Sequence, residues 1–480
     1  MLYVIIALIA LLAFMVFNAV KMKPEDTGRY EKKTEYDFDK ELALKRFQDM
    51  LRKKTIWPRD AEPDYEEFRS FLPMLKKDYP EVFKALEVNI INDYGILLKW
   101  KGNSKKKPVV LMAHYDVVAV DEAGWDHEPF GAEVVDGSIY ARGTSDTKCI
   151  IAGLLEAVDY QLAHGYIPER DIYFSFTNNE ETGGPTTPAI VRWFEENKIE
   201  PWFVFDEGGA IINDAPLGVK DEFAMIGVSE KGVVNITLKA KGLGGHSSTP
   251  STKTDSTQKL IRAINKLNAN PFRKHLHPVT EKLLGIYGSH SSFLYRFIFG
   301  NMWLFRPIVM KVLESNKETA AMISTTAALT QLKGAPAVNI IPPVAEAGYS
   351  VRIAPGDTID SCLAHFRQVI NDPDVELNHE GGVEASPVSP IDNSAYRLIE
   401  KVVYESYSEV YCCPYIQNGA TDSRNFHRIY PNVYRFAMFR MSGAERQAIH
   451  GNNESIRVSS YYEGISAYIN LLTELNNAEE

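Results

Sequence analysis

Four apolar stretches, each running directly into a histidine or a carboxylate, constrain the fold of this 480-residue chain more than any other feature. Residues 109–113 end in His114, with Asp116 two positions on. Residues 139–141 lead through a glycine turn to Asp146. Residues 171–177 are followed closely by Glu180 and Glu181, and residues 202–205 by Asp206 and Glu207. Unbroken apolar runs of this length suit strands covered on both faces, as in a mostly parallel sheet flanked by helices. In such sheets ligands bind beyond the carboxyl ends of the strands. One charged strand end is ordinary, and Asp146 taken alone reads as a helix cap. Four together are costly unless something cationic neutralises them, which points to a metal site.

A chain of this length is expected to form two domains after a short leader. Helical spacing predicts two helices between residues 36 and 83, then others over 149–164, 394–407 and 459–475. A strand pair is expected over 87–100 around the turn Asp93-Tyr94-Gly95. Near residue 228 the pattern changes. Val234, Ile236, Leu238 and Ala240 alternate, as in a half-buried antiparallel strand. A helix through Leu260 and Leu267, a strand over 344–353, a helix over 357–370 and a strand over 375–378 follow. Residues 285–313, rich in aromatics, read as a helical hairpin covering this region. These elements predict a small α+β domain (228–384) inserted into a larger α/β domain (41–227 and 385–480).

Residues 2–20 are apolar apart from Asn18, and Lys21 and Lys23 follow. Such a helix, at 1.5 Å per residue, nearly crosses a bilayer core. An uncleaved membrane anchor over residues 1–21 is preferred. The Phe17-Asn18-Ala19 sequence lacks the small-x-small pattern of a cleavage site, and no basic residue precedes the run. Secretion after cleavage is the alternative. Residues 22–40 read as a polar stalk. The net charge of −11 and the lack of a basic stripe argue against a nucleic-acid partner. Cys149, Cys362, Cys412 and Cys413 lack zinc-ribbon spacing and read as free thiols.

His114, Asp146, Glu181, Glu207 and His450, with Asp116 and Glu180 beside them, supply two imidazoles and three carboxylates. That set suits two zinc ions with one bridging carboxylate; Co²⁺ or Mn²⁺ would also fit. Lack of thiolates points to catalytic metal. Paired ions about 3.5–4 Å apart clamp a water, lower its pKa and polarise a carbonyl. A glutamate that is not a ligand can take the proton and pass it on. His127, in a proline-containing loop, reads as structural or as part of a substrate rim.

Taken in order, His114-Tyr115-Asp116, Gly143-Thr144-Ser145-Asp146-Thr147-Lys148, Glu180-Glu181-Thr182-Gly183-Gly184, Asp206-Glu207-Gly208-Gly209, Gly245-His246-Ser247-Ser248 and His450 resemble a known family. It is the co-catalytic zinc peptidases, which include aminoacylase, carboxypeptidase S and bacterial glutamate carboxypeptidases. The resemblance covers roughly residues 40–475. The Asp-Glu-Gly-Gly loop, the aromatic insertion and the N-terminal segment point to the branch of carboxypeptidase S and the N-acyl amino acid hydrolases. Thr144 stands where many relatives carry alanine.

The resemblance implies that His114 binds one zinc, steadied by Asp116. Asp146 would bridge, and Glu181 and His450 would hold the second ion. Glu207 would complete the first site, with Asp206 as the alternative. Glu180 would be the general base. His246 would stabilise the oxyanion, often from the partner subunit of a homodimer. Asn339, Arg352 and the 419–424 loop, including Thr421 and Arg424, would bind the substrate carboxylate. The implied activity is cleavage of an amide next to a free carboxylate, in a small peptide or an N-acyl amino acid. A catalytically silent, membrane-tethered binding protein on the same scaffold is the competing reading.

Overall fold

The computed structural model describes the chain except Thr34, Leu217, Gly218 and the side chain of Glu318. Its centre is an eight-stranded sheet. In spatial order the strands are Glu87–Ile91, Gly95–Trp100, Ile172–Thr177, Val109–His114, Phe203–Ile212, Val433–Arg440, Glu222–Glu230 and Val410–Gln417. The four strands from Ile172–Thr177 to Val433–Arg440 pair in parallel, as do the last two. The first two strands and the contact of Val433–Arg440 with Glu222–Glu230 are antiparallel, which makes the sheet mixed.

Every residue of Val109–His114 and Ile172–Thr177 is buried, which explains their unbroken apolar sequence. Side chains alternate between two cores. Val109, Leu111 and Phe174 face a core built with Phe47, Leu155, Val402 and Leu472, from helices Lys40–Leu51, Cys149–Ala163, Ser394–Ser406 and Val458–Asn477. Val110, Met112 and Tyr173 face Ile190, Val191 and Phe194 of helix Thr186–Glu196 on the other side.

A second sheet, all antiparallel, contains Thr326–Lys333, Val344–Ile353, Gly232–Lys241 and Val375–Val383 in that order. Helices Ser256–Ala269 and Ile359–Ile370 cover one face through Leu260, Leu267, Leu363 and Phe366. Thr358 and Ser361 form a reciprocal cap at the start of the second helix. The fold class is the expected one, mixed α/β with a smaller α+β unit. The edge strand Thr326–Lys333 was not anticipated. It is exposed along nearly its whole length, so burial imposes no alternation on it.

Two expectations change. Residues 22–40 are not a free stalk. Tyr30 packs on Tyr404 at 5.0 Å, Lys32 donates to the Tyr404 carbonyl at 2.6 Å, and Lys33 pairs with Glu474 and Glu405. Nor does the aromatic segment cover the small sheet. Helix Pro278–Ser289 places Leu283 and Tyr287 against Phe223 and Cys413 at the edge of the large sheet. Helices Phe293–Phe299 and Met302–Glu314 continue from there to the N-terminal helix Leu2–Lys21. Which apolar surface such a segment covers depends on partners 60 or more residues away, so local periodicity does not reveal it.

Candidate metal centre

The carboxyl ends of Val109–His114 and Ile172–Thr177 and the middle of Phe203–Ile212, which runs on past Asp206 and Glu207 instead of ending before them, meet at a cavity of about 230 Å³. Asp146, Glu180, Glu181, Glu207 and His450 line it. His114, buried at its strand end, is fixed by Thr147. The Thr147 hydroxyl accepts from the His114 amide at 3.1 Å and donates to its carbonyl at 3.0 Å. His114 Nδ1 lies 2.9 Å from the Asp116 carbonyl and 3.5 Å from the Asp116 carboxylate. Nδ1 therefore donates to the Asp116 carbonyl, which turns Nε2 toward the cavity and Asp146. The Asp116 carboxylate also accepts the amides of Glu180 and Glu181, at 3.2 and 3.1 Å. One carboxylate thus ties two strand ends together.

Asp146 stands between two imidazoles. Its Oδ1 is 2.9 Å from His114 Nε2, and its Oδ2 is 2.9 Å from His450 Nε2. Glu207 lies 3.6 Å from His114 Nε2, and Glu181 lies 3.1 Å from His450 Nε2. The ligand atoms of His114, Asp146 and Glu181 fall within 4.8 Å of one another, as do those of His114, Glu180 and Glu207.

The turn carrying Asp146 is held by a residue that no sequence motif singled out. Glu454, fully buried, accepts the amides of Gly143, Ser145 and Asp146 at 3.1, 2.8 and 3.1 Å, and the Arg142 guanidinium at 2.7 Å. Gly143 has φ of 85°, a left-handed conformation that favours glycine.

Asp206 and Glu207, adjacent in a strand, point to opposite sides. Asp206 is buried and accepts the Ser423 amide at 2.9 Å, whereas Glu207 lines the cavity. Gly209 lets the neighbouring strand close in, since a Cβ there would run into the Met225 carbonyl oxygen.

The charge balance shows what the cavity lacks. Burial pushes the carboxyls of Glu180, Glu181 and Glu207 above their ordinary pKa, and neighbouring carboxylates push them further. Burial would also raise Asp146, but the two imidazoles overturn that and hold it below the usual range. Hydrogen bonds to Asp146 and Glu181 raise His450 to about 10. A cluster of carboxylates that must borrow protons to coexist is one that cations would stabilise, and its N/O donors suit a borderline divalent ion.

The remaining candidates fall into two groups. Thr421 and Arg424 follow directly on Gly419 and Ala420, which line the cavity. The Thr421 amide donates to Glu230 at 2.8 Å, and Arg424 donates to the Thr421 carbonyl at 2.9 Å. Arg352 is near them. Burial, then the charges of Arg424 and Arg59, hold its guanidinium below its ordinary pKa. Arg59, unmarked in the sequence, donates to the Glu181 carbonyl at 3.3 Å. His246 and Asn339 form a separate group. The Ser247 amide donates to the Asn339 carbonyl at 3.2 Å, and His246 is exposed with Nδ1 2.8 Å from the Ser248 hydroxyl. Among the described residues that line the cavity, neither appears. His127 lies apart from the centre, against Glu133 and Tyr140. The apolar end of the cavity consists of Ile150, Ala437, Met441 and Ile449, and not of the aromatic segment.

A profile of Peptidase family M20/M25/M40 matches residues 110–474. The chain belongs to this family. It is a metal-dependent hydrolase, in agreement with the resemblance read from its motifs. It is 33% identical over 419 residues to probable carboxypeptidase S-like 2 of Dictyostelium discoideum, covering 86% of this chain and 79% of that protein. It is also 33% identical over 413 residues to the human N-fatty-acyl-amino acid synthase/hydrolase PM20D1, covering 85% of this chain and 82% of the relative. Among solved structures, the M20 metallo-carboxypeptidase Sso-CP2 of Sulfolobus solfataricus shares the fold, with TM-score 0.65 and 18% identity over 91% of this chain and 99% of that one. The M20 fold also occurs in the Bacillus subtilis YXEP protein, described as a dinuclear metal-binding peptidase. Its TM-score is 0.56 at 12% identity, over 92% of this chain and 100% of that one.

Proposed function

We propose that this M20 hydrolase uses two zinc ions to cleave an amide next to a free carboxylate, with N-acyl amino acids as its substrate class and C-terminal peptide bonds as a second. The observation that carries the reading is Asp146, whose two oxygens each lie 2.9 Å from a different imidazole, with a further carboxylate beside each ring. Asp146 would serve both ions, His114 and Glu207 one, and His450 and Glu181 the other. Bound divalent ions supply positive charge that polarises the scissile carbonyl and acidifies a water. Co²⁺ or Mn²⁺ could replace zinc in this N/O donor set.

The rest of the chemistry belongs to the chain. Glu180 takes a proton from the attacking water and delivers it to the leaving amine. Its half-buried carboxyl, with its raised proton affinity, suits that exchange. Arg352, Arg424 and Arg59 gather three guanidinium groups that would accept the substrate carboxylate, with Thr421 holding Arg424 in place. Ile150, Met441 and Ile449 offer an apolar wall to the acyl group. His246 and Asn339 would complete the neighbouring site in a homodimer formed through residues 228–384. Their separation from the cavity in one chain and the exposed edge strand Thr326–Lys333 support that reading.

The test is metal content together with hydrolysis of an N-acyl amino acid. Wild-type protein should hold close to two zinc per chain, and Asp146→Ala should lose both. Retention of full metal by that variant would overturn the bridging role. Mixing inactive Glu180→Gln with inactive His246→Ala should restore activity, because a mixed dimer contains one intact site. Absence of rescue after verified subunit exchange would place the whole site in one chain.

A further inference from the structure

Helix Leu2–Lys21 is 20 residues long, with mean hydropathy 2.6 over an 18-residue stretch, and most of its surface is exposed. Its buried residues, Met15 and Ala19, lie near its C-terminal end. What buries them is the turn between Phe293–Phe299 and Met302–Glu314. Asn301, itself fully buried, donates to the Met15 carbonyl at 3.0 Å and accepts from Asn18 Nδ2 at 3.0 Å. Asn18 is the one polar residue of the apolar run, so its partner has been supplied from nearly 300 positions away. Gly300 lets the backbones meet, since a Cβ there would stand 3.2 Å from the Asn18 carbonyl. Small residues and paired polar side chains are how helices associate in lipid.

The same hairpin shows large apolar side chains outward. Phe293 and Leu294 are 48% and 64% exposed, Trp303 and Leu304 58% and 45%, and Ile308 and Val312 56% and 54%. Leu304, Ile308 and Val312 recur every four residues on one side of Met302–Glu314, while Val309 and Leu313 are buried against the protein. Arg306, Lys311 and Glu314 are also exposed on this helix, Arg306 paired with Glu281, so its outer side mixes large apolar side chains with long charged ones, a composition that suits a membrane interface.

We infer that helix Leu2–Lys21 and residues 293–314 form one lipid-embedded unit, in which the helix spans a bilayer and the hairpin lies in the interface of the same leaflet. The geometry sets the depth. Met15 and Asn18 precede Lys21 by six and three residues, so at 1.5 Å per residue Asn301 lies about 5–9 Å inside the end of the span. That matches the roughly 5–10 Å to which interfacial helices sink their apolar faces. Trp303 on the hairpin and Lys21 and Lys23 at the helix end are residue types that anchor at this level. Continuity with the span selects lipid over a second copy of the chain as the covering phase. It also keeps the N-terminal helix in the mature protein, because its removal would take the Asn18 and Met15 partners from Asn301 and leave it the Phe297 carbonyl at 2.8 Å and the Trp303 indole at 3.4 Å.

The experiment uses the full chain reconstituted in phosphatidylcholine vesicles whose acyl chains are brominated near the headgroup end. Trp303 is one of six tryptophans. Emission should be quenched relative to ordinary lipid, and Trp303→Phe should lose most of that quenching. The intact mass of membrane-extracted protein should include residues 1–21. Quenching unchanged by Trp303→Phe would overturn the hairpin's burial, as would a patch covered instead by a second copy. A mass lacking the first helix would overturn the pairing of helix and hairpin.

Discussion

Glu454→Gln should damage the metal centre although Glu454 touches no predicted ligand side chain. The carboxylate accepts four donors, three amides of the 143–146 turn and the Arg142 guanidinium. The side chains of Arg142 and Glu454 are 3% and 0% exposed. A glutamine of the same shape can accept through only one of its two terminal atoms. Its amide nitrogen would face Arg142 and the Gly143 amide, both donors, and the guanidinium would be buried without a counter-charge. Removing one partner of a buried pair costs about 3–5 kcal/mol. Denaturant unfolding should show a loss of that size, and metal content should fall because Asp146 hangs from the same turn. Adding Arg142→Leu removes the orphaned charge, so the double variant should be less destabilised than the two single losses added together. If Glu454→Gln unfolds within about 1 kcal/mol of the parent and keeps its full metal, the turn does not depend on this carboxylate and the reasoning fails.

Glu180→Gln should retain metal while turnover drops by about 10²–10⁴-fold, the usual contribution of a general base; near-normal turnover would move the role elsewhere. Lengthening the acyl chain of an N-acyl amino acid should raise kcat/KM by about fourfold per methylene, from roughly 0.8 kcal/mol per buried CH₂, until the cavity fills. Met441→Ala should flatten that series and Trp303→Ala should not, since Met441 lines the cavity; equal response of both variants would refute the assignment. Burial, then the charge of Arg435, depress His427 from 6.5 to about 3. Below pH 6.5 the unfolded chain binds this proton and the folded chain does not. Stability should therefore fall by up to about 1.4 kcal/mol per pH unit between pH 6.5 and 3. His427→Gln should make that acid limb shallower, and an unchanged slope would show that other groups dominate it.

The strand-end chemistry was legible in the sequence because a strand buried on both faces must be apolar along its length. A charge at its carboxyl end therefore stands out without knowledge of its partners. That holds for His114 and Glu181, whose strands are buried along their whole length; Glu207 instead lies inside Phe203–Ile212, and Asp146 follows Ser138–Tyr140, a short strand of a separate antiparallel sheet, so the expectation of four buried strand ends is met by two of the four runs. The family resemblance also rested on those local motifs. That Glu207 and not Asp206 lines the cavity is seen only in the tertiary structure. Adjacent strand residues face opposite sides, and only the neighbours show which side holds the cavity and which the Ser423 amide. Glu454 was invisible for a related reason, since its contacts span more than 300 residues and leave no periodic trace. The same holds for Arg59 beside Glu181, for the 22–40 segment docked on Tyr404 and Glu474, and for the aromatic hairpin paired with the N-terminal helix. Periodicity records whether a residue is covered, because burial repeats with the local backbone. What covers it is decided by packing between distant segments, and that is where the structure placed the N-terminal helix's partner and the support for Asp146.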